Sequence, residues 1–329
     1  AGSSRSTTLK QRKSTSARRS TLAASRGTGA GTPRSPNGSG GAHRHHEVEE
    51  VVAVRRLQRR RLQGIDGRER ELLCLDRLDT LAGSFGLGLI PTGSKDPFGL
   101  RRAALGVVRL ALEGEVEVHL EAALGSAFGL LHEKLPVKGA LESGTSGPSP
   151  DVSPAHRKAF DQLVEFLRDR LTHVLGERGF AYDEVAAAMG ADSDSPLAFR
   201  AIAARTAALR GARQEPDFAV VAQAAKRIAN ITKGSEAFTF TEASCTLEAE
   251  RALRQAAVTL HGEILAARAS LDFAAGLHSV RKLASPLEVF FKDVMVMDPD
   301  ERLKQNRIAL LQSIQSEIRW LADLSQIVV

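Results

Sequence analysis

From Glu69 to its end the chain is punctuated for helices and for almost nothing else. Leu72, Leu75, Leu78 and Leu81 recur at about helical spacing, and Phe160, Leu163, Leu167 and Leu171 fall on one face of a later segment. Several of these segments open on a small polar residue followed by proline: Asp96-Pro97, Ser153-Pro154, Ser195-Pro196 beside Asp194, and Asp298-Pro299. Such a residue accepts hydrogen bonds from first-turn amides that have no other partner, and proline supplies the φ that the first helical position needs. Convincing β runs are few. The expected class is all-α, short-looped helices each burying one stripe.

The pattern places a first helix from about Glu69 to a Gly83–Gly93 loop. A second runs from Pro97 to about Leu112, with Asp96 as cap, Leu100, Ala104, Val107, Val108 and Ala111 as its apolar stripe, and Gly114 as its end. Residues 114–135 continue less cleanly through Val116, Val118, Leu120, Leu124 and Leu130. Gly139 to Pro154 is a Gly/Ser/Pro linker. Further helices follow from Ser153-Pro154 to Gly176, over Tyr182–Met189, and from Asp194 or Ser195. The last third holds Phe218–Ile231, Leu247–Leu271, Leu277–Leu283 and an apolar run over 286–296. In that run Phe290, Phe291, Met295 and Met297 read as core. The final helix has Asp298 as cap, Pro299 at its first position and Glu301 as capping-box acid, and Trp320 packs along its stripe.

A chain of 329 residues has room for two domains and a sizeable core. No apolar run nears the ~18 residues a membrane span requires, so no membrane partner is expected. Cys74 and Cys245 fit no metal or redox spacing, which suits a reducing cytoplasm. His43, His45 and His46 lie in low-complexity sequence, and no metal site is assigned to them. The formal charge of +6 belongs to the beginning of the chain. Residues 1–46 hold nine Lys or Arg and no acid, leaving 36 basic against 39 acidic residues in the remainder. RNA binding by the folded part therefore needs local patches.

Residues 1–69 are rich in Ser, Arg, Gly, Thr and Ala, lack apolar periodicity before Val51, and are expected to be disordered. Their composition resembles an organelle transit peptide, which would move the protein from cytoplasm to organelle. A second reading takes them as a wrong-frame translation fused to a genuine fragment. Peptides from residues 5–60 of the native protein, seen by mass spectrometry, would exclude that.

Two local features invite chemistry. Gly88-Leu-Ile-Pro-Thr-Gly93-Ser94-Lys95 nearly spells a phosphate-cradling loop, but Ser and Lys are transposed and Pro91 interrupts it, so nucleotide binding is rejected. Arg101 and Arg102 sit near the positive end of a helix dipole, where a nearby anion is needed. Asp76, Asp79 or Asp96 is one answer, an RNA phosphate the other. No Ser-His-Asp spacing argues for a catalytic triad, and no catalytic residue is assigned.

Five ordered blocks carry a resemblance. Leu75-Asp-Arg-Leu-Asp-Thr-Leu-Ala-Gly83 and Pro91-Thr-Gly-Ser-Lys-Asp-Pro-Phe-Gly-Leu-Arg-Arg-Ala-Ala-Leu-Gly106 lead it. Glu177-Arg-Gly-Phe-Ala-Tyr-Asp183, Ala225-Lys-Arg-Ile-Ala-Asn-Ile231 and Pro286-Leu-Glu-Val-Phe-Phe-Lys-Asp-Val-Met-Val-Met297 follow, the last with Asn306-Arg307 and Leu321-Ala-Asp-Leu-Ser325. Over residues 72–326 the chain resembles the β subunit of the bacterial-type tetrameric glycyl-tRNA synthetase. The resemblance implies a tail of an HD-like helical domain with linking helices over 70–217 and a helical anticodon-binding domain over 218–329. It also implies tRNA-Gly as ligand and an α subunit as partner in an α2β2 heterotetramer. ATP and Mg2+ would be bound by that α subunit, which carries the class II catalytic site, and no cofactor by this chain. The upstream domains of the family, including the His and His-Asp segments of the HD-like domain, have no counterpart here, and Asp76 and Asp79 alone hold no metal.

The candidate RNA contacts are Lys95, Arg101, Arg102, Lys226, Arg227, Asn230, Lys233, Arg302, Lys304 and Arg307. Each has a bland alternative in a solvated helix face or an internal ion pair. The function expected is that of a tRNA-binding subunit in glycyl-tRNA formation, not catalytic alone. The alternatives are a stand-alone helical RNA-binding or scaffold protein and a non-functional truncated product.

Overall fold

In a computed structural model, residues 67–113, 119–134, 154–192 and 195–329 are described, and all of them fall within the unit spanning 60–329. Gly67 to Glu69, expected to be disordered, belong to the first helix, whereas residues 1–66 of the leader, with the three clustered histidines, and Gly114, Val116, Val118, the 139–153 linker and Asp194 lie outside the described residues. Eleven α-helices are present among them: α1 Gly67–Gly86, α2 Leu100–Glu113, α3 Leu120–Lys134, α4 Pro154–Glu177, α5 Tyr182–Met189 and α6 Phe199–Ala212. Then come α7 Pro216–Thr232, α8 Glu248–Ser270, α9 Phe273–Arg281, α10 Ala284–Asp293 and α11 Glu301–Leu321, with 3-10 turns at Glu242–Ser244 and Leu324–Gln326. No strand occurs among the described residues, so the all-α expectation holds there.

Helices α1 to α4 pack on one another, with Phe85 against Phe166 (5.3 Å between centroids) and Phe128 edge-on to Phe160 (5.8 Å). Burying such a ring stabilises by roughly 1.5–3 kcal/mol. The core face of α1 is Cys74, Leu78, Leu81, Ala82 and Phe85; Leu72 is 60% exposed. A strict three-residue repeat slips about 60° per step around a 3.6-residue helix, so Leu72 and Leu81 point to opposite sides. Spacing alone overextended the stripe.

Helix α2 starts three residues later than the sequence suggests. Gly99 has φ +66°, in the left-handed region, so Asp96 to Gly99 form a turn before the helix begins. Asp96 still caps it: its carboxylate accepts from the amides of Leu100 (2.8 Å) and Arg101 (3.0 Å). A turn closed by the Ala198 amide on the Ser195 carbonyl (3.3 Å), without a left-handed residue, moves the start of α6 to Phe199, and the Ser195 hydroxyl accepts from the Leu197 amide.

Helices α7, α8 and α9 pack on α11, whose Ile308, Leu310, Leu311, Ile314, Ile318 and Leu321 are buried. Its cap is Asp300, which accepts from the amides of Arg302 and Leu303; Glu301, on the first turn, pairs with Lys304. Asp298 is thereby left for another task. The apolar run over 286–296 also divides. Helix α10 ends at Asp293, and in the extended backbone beyond it Val294 and Val296 point inward while Met295 and Met297 are about 60% exposed. An extended chain alternates faces, which places both methionines outside the core where they were expected. Trp320 packs on Phe273 at 5.4 Å.

Candidate nucleic-acid interface

Helix α7 has the pattern of a helix with one dry face and one wet face. Proline opens its first turn, and Phe218, Val221, Ala222, Ala224, Ala225 and Ile228 are buried against the neighbouring helices. The opposite side carries Gln223, Lys226, Arg227 and Asn230, all exposed, with exposed Lys233 just beyond its last residue. Lys226, Asn230 and Lys233 recur at i, i+4 and i+7, so they form one stripe rising about 10 Å along the axis. The helix has one acidic residue, Asp217 in its first turn, and Arg281 lies 3.7 Å from it and 3.1 Å from Glu215. The stripe itself carries no acid, and none of its cations has a carboxylate partner among the described residues.

Arg227 is held in a different way. Its guanidinium lies over the Phe291 ring of α10, 4.2 Å from the centroid, and Phe291 meets the fully buried Phe290 edge-on at 5.5 Å. Beyond α7, side chains of α8 and α11 pin the irregular segment 233–247. Gln315 accepts from the Thr232 hydroxyl (2.8 Å), Gln312 accepts from the Phe238 amide (3.2 Å) and donates to the Glu236 carbonyl (2.8 Å), and Asn306 accepts from the Thr241 amide (2.7 Å). Glu250 then accepts from the amides of Thr246 (2.6 Å) and Leu247 (2.8 Å).

Arg307 leaves the set of RNA candidates. It is 4% exposed, and its guanidinium donates to Glu250 (2.5 Å), Asp298 (2.6 Å) and the Met295 carbonyl (2.9 Å). A phosphate has no access to a side chain so buried, and two carboxylates already balance its charge. Burial pushes the Glu250 carboxyl up, but the Leu247 amide, the Arg307 guanidinium and the Thr246 amide together hold it below the usual range. The Asp300 amide and Arg307 hold Asp298 low as well. Lys304 pairs with Glu301 at 3.0 Å, and Arg302 on the same first turns is exposed.

At the start of α2, Arg101 folds back on the loop before it. It donates to the carbonyls of Gly93 (2.6 Å) and Lys95 (3.3 Å), so its charge is spent on the turn. The anion at that helix start is Asp96, one of the three carboxylates considered. Lys95 and Arg102 are exposed. Helix α2 packs mainly on α1, α4 and α6, and α7 mainly on α9, α10, α11 and the C-terminal turn. The candidate cations thus fall at three places: the start of α2, the wet face of α7 and the first turn of α11.

No constellation for catalysis emerges among the described residues. Cys74 lines an apolar recess of about 420 Å3 with Ala111, Leu120, Phe199 and Phe273, but burial pushes its thiol up to about 11, far from a reactive thiolate. No group of three or more His, Cys, Asp or Glu side chains among the described residues could hold a metal ion.

The family model for the glycyl-tRNA synthetase beta subunit matches residues 71–190, and that for the DALR anticodon binding domain matches residues 221–324. A glycine–tRNA ligase beta subunit of Moorella thermoacetica is 36% identical over 255 residues, covering 77% of this chain and 34% of that protein. Those of Nitrosomonas eutropha and Pseudomonas aeruginosa are each 34% identical, covering 77% and 76% of this chain and 34% of each relative. The chain spans about a third of the length of these relatives.

Proposed function

The chain carries a C-terminal portion of the glycyl-tRNA synthetase β-subunit family, and on that premise we propose that it binds tRNA-Gly and supports glycylation by a separate α subunit. In this reading residues 218–329 are the anticodon-binding module and 70–217 the tail of an HD-like domain with its linking helices. The α subunit holds ATP, Mg2+ and glycine, the assembly is an α2β2 heterotetramer, and the site of action is the cytoplasm. This chain supplies RNA affinity and no catalytic group. The observation that carries the proposal is the acid-free stripe of Lys226, Arg227, Asn230 and Lys233 on a helix lying within the anticodon-binding match.

A gel-shift or filter titration of the chain against tRNA-Gly and a non-cognate tRNA over a salt series tests it. Affinity is expected to fall log-linearly with salt, by about 0.7–0.9 in slope for each phosphate neutralised. Joint replacement of Lys226, Arg227 and Lys233 by Ala is expected to weaken binding and flatten the slope while leaving the melting temperature in place. No binding at low salt, where phosphate contacts are strongest, refutes the proposal.

A further inference from the structure

We infer that the Arg227–Phe291 pair is a stacking shelf for one unpaired nucleobase, a role that rests on the RNA-binding reading above. The ring is fixed first. Phe291 is half-buried and locked edge-on against Phe290, which has no exposed surface, so it cannot swing with solvent. A guanidinium 4.2 Å from the centroid lies over the ring face, and the ring quadrupole holds it there. Arg227 is nevertheless exposed and has no ion pair among the described residues, so its outer face is open.

A flat, delocalised cation already seated on an aromatic offers a base two things. It presents a planar surface of the kind on which single-stranded bases stack, and it loses little conformational entropy in doing so. Its neighbours suit the rest of a nucleotide. Lys226 and Lys233 lie on the same side of α7, and Lys292 follows Phe291 in the chain; all three are exposed ammonium groups suited to phosphates as point charges. Two roles are thus divided between adjacent side chains. The lysines answer the backbone, and Arg227, backed by Phe291, answers a base.

A lysine at position 227 separates this from simple phosphate binding, because it keeps the charge and removes the plane. The full chain is titrated with the anticodon stem-loop of tRNA-Gly over a salt series, alongside stem-loops with one loop nucleotide at a time made abasic. Arg227→Lys is expected to lower affinity roughly 5- to 150-fold with the salt slope unchanged. One abasic position should produce the same loss, and combining it with Arg227→Lys should add nothing further. Phe291→Leu, which keeps apolar bulk without the ring face, should behave like Arg227→Lys. Equal affinity of Arg227→Lys and the parent chain, or losses that add at every abasic position, overturns the shelf. If the parent chain itself binds no stem-loop, the RNA-binding reading fails with it; if the parent binds and Arg227→Lys is silent, only the shelf fails.

Discussion

Replacing Arg307 by Met should damage this protein more than any other charge removal on α11. Arg307 and Glu250 are 4% and 2% exposed, and the contact between them, 2.5 Å, joins α11 to the start of α8. Met fills much the same volume but strands a buried carboxylate whose remaining partners are the Thr246 and Leu247 amides and the Thr246 hydroxyl. Breaking a buried pair from one side costs about 3–5 kcal/mol, a large share of a typical total of roughly 5–15 kcal/mol. On a unit of this size that corresponds to a fall in melting temperature of roughly 6–20 °C. Removing both charges in Glu250→Gln with Arg307→Met should recover part of the loss, since no ion is then left unpaired.

The deficit also has a pH signature. In the parent protein Glu250 is held below its ordinary pKa, so it stabilises above the unfolded value of about 4.3, and that contribution fades as pH falls through the folded value. In Arg307→Met burial still raises the carboxyl while one opposing interaction is gone, so its pKa moves up. Protonation then relieves the variant, and the stability gap should be widest near pH 7 and narrow toward about pH 4. Urea melts of both proteins across that range measure it. A gap below about 1 kcal/mol at neutral pH, or one that stays constant on acidification, refutes the reasoning.

Asp183 accepts from Arg213 (3.0 Å) and from the Val328 amide (2.9 Å), while Arg213 donates to the Val328 carbonyl (2.7 Å). Asp183→Asn puts an amide among donors and should cost about 1–3 kcal/mol, with faster hydrogen exchange at Val328. Burial raises the Asp183 carboxyl, but Arg213 and the Val328 amide outweigh it and hold it low, so this clamp should persist above the unfolded pKa and weaken only as pH falls through the lower folded value. Gly276→Ala and Gly106→Ala should differ in sign. A Cβ at 276 would meet the buried Leu321 at 2.5 Å and cost about 1–3 kcal/mol in packing, whereas at 106 it meets the flexible Arg77 side chain, which moves aside and lets Ala contribute up to about 1 kcal/mol in thermal melts. Asp96→Ala removes two amide partners at the start of α2 and should cost about 1 kcal/mol by denaturant titration.

Much of the fold was legible because helices declare themselves locally. The α4 stripe and the Tyr182–Met189 helix follow from spacing and punctuation within a few residues. The errors occur where two local signals compete. Asp298 and Asp300 flank one proline, and the sequence alone does not say which caps; Asp300 does, because Asp298 is drawn to Arg307 nine residues on. Asp96 caps as its residue type predicts, yet the turn closed by Gly99 puts the helix start three residues further along.

The candidate surface was legible only in part, for a reason that Arg227 and Arg307 make plain. Both follow a polar residue on an amphipathic helix, and both looked like cations on a solvated face. What separates them lies far away in sequence: an aromatic ring 64 residues downstream lies under Arg227, and a carboxylate 57 residues upstream captures Arg307. Glu250 did leave a trace, since it stands three residues after Leu247 where a capping acid reaches back to an amide, but that spacing names its backbone partner and not the guanidinium. Charge at helical spacing therefore selects which residues are available to RNA only after every internal carboxylate has been assigned. Here that assignment holds Arg307 on Glu250, pairs Lys304 with Glu301 and folds Arg101 onto its own turn, and it leaves the α7 stripe, together with Lys95, Arg102 and Arg302, as the candidate cations with no carboxylate partner among the described residues.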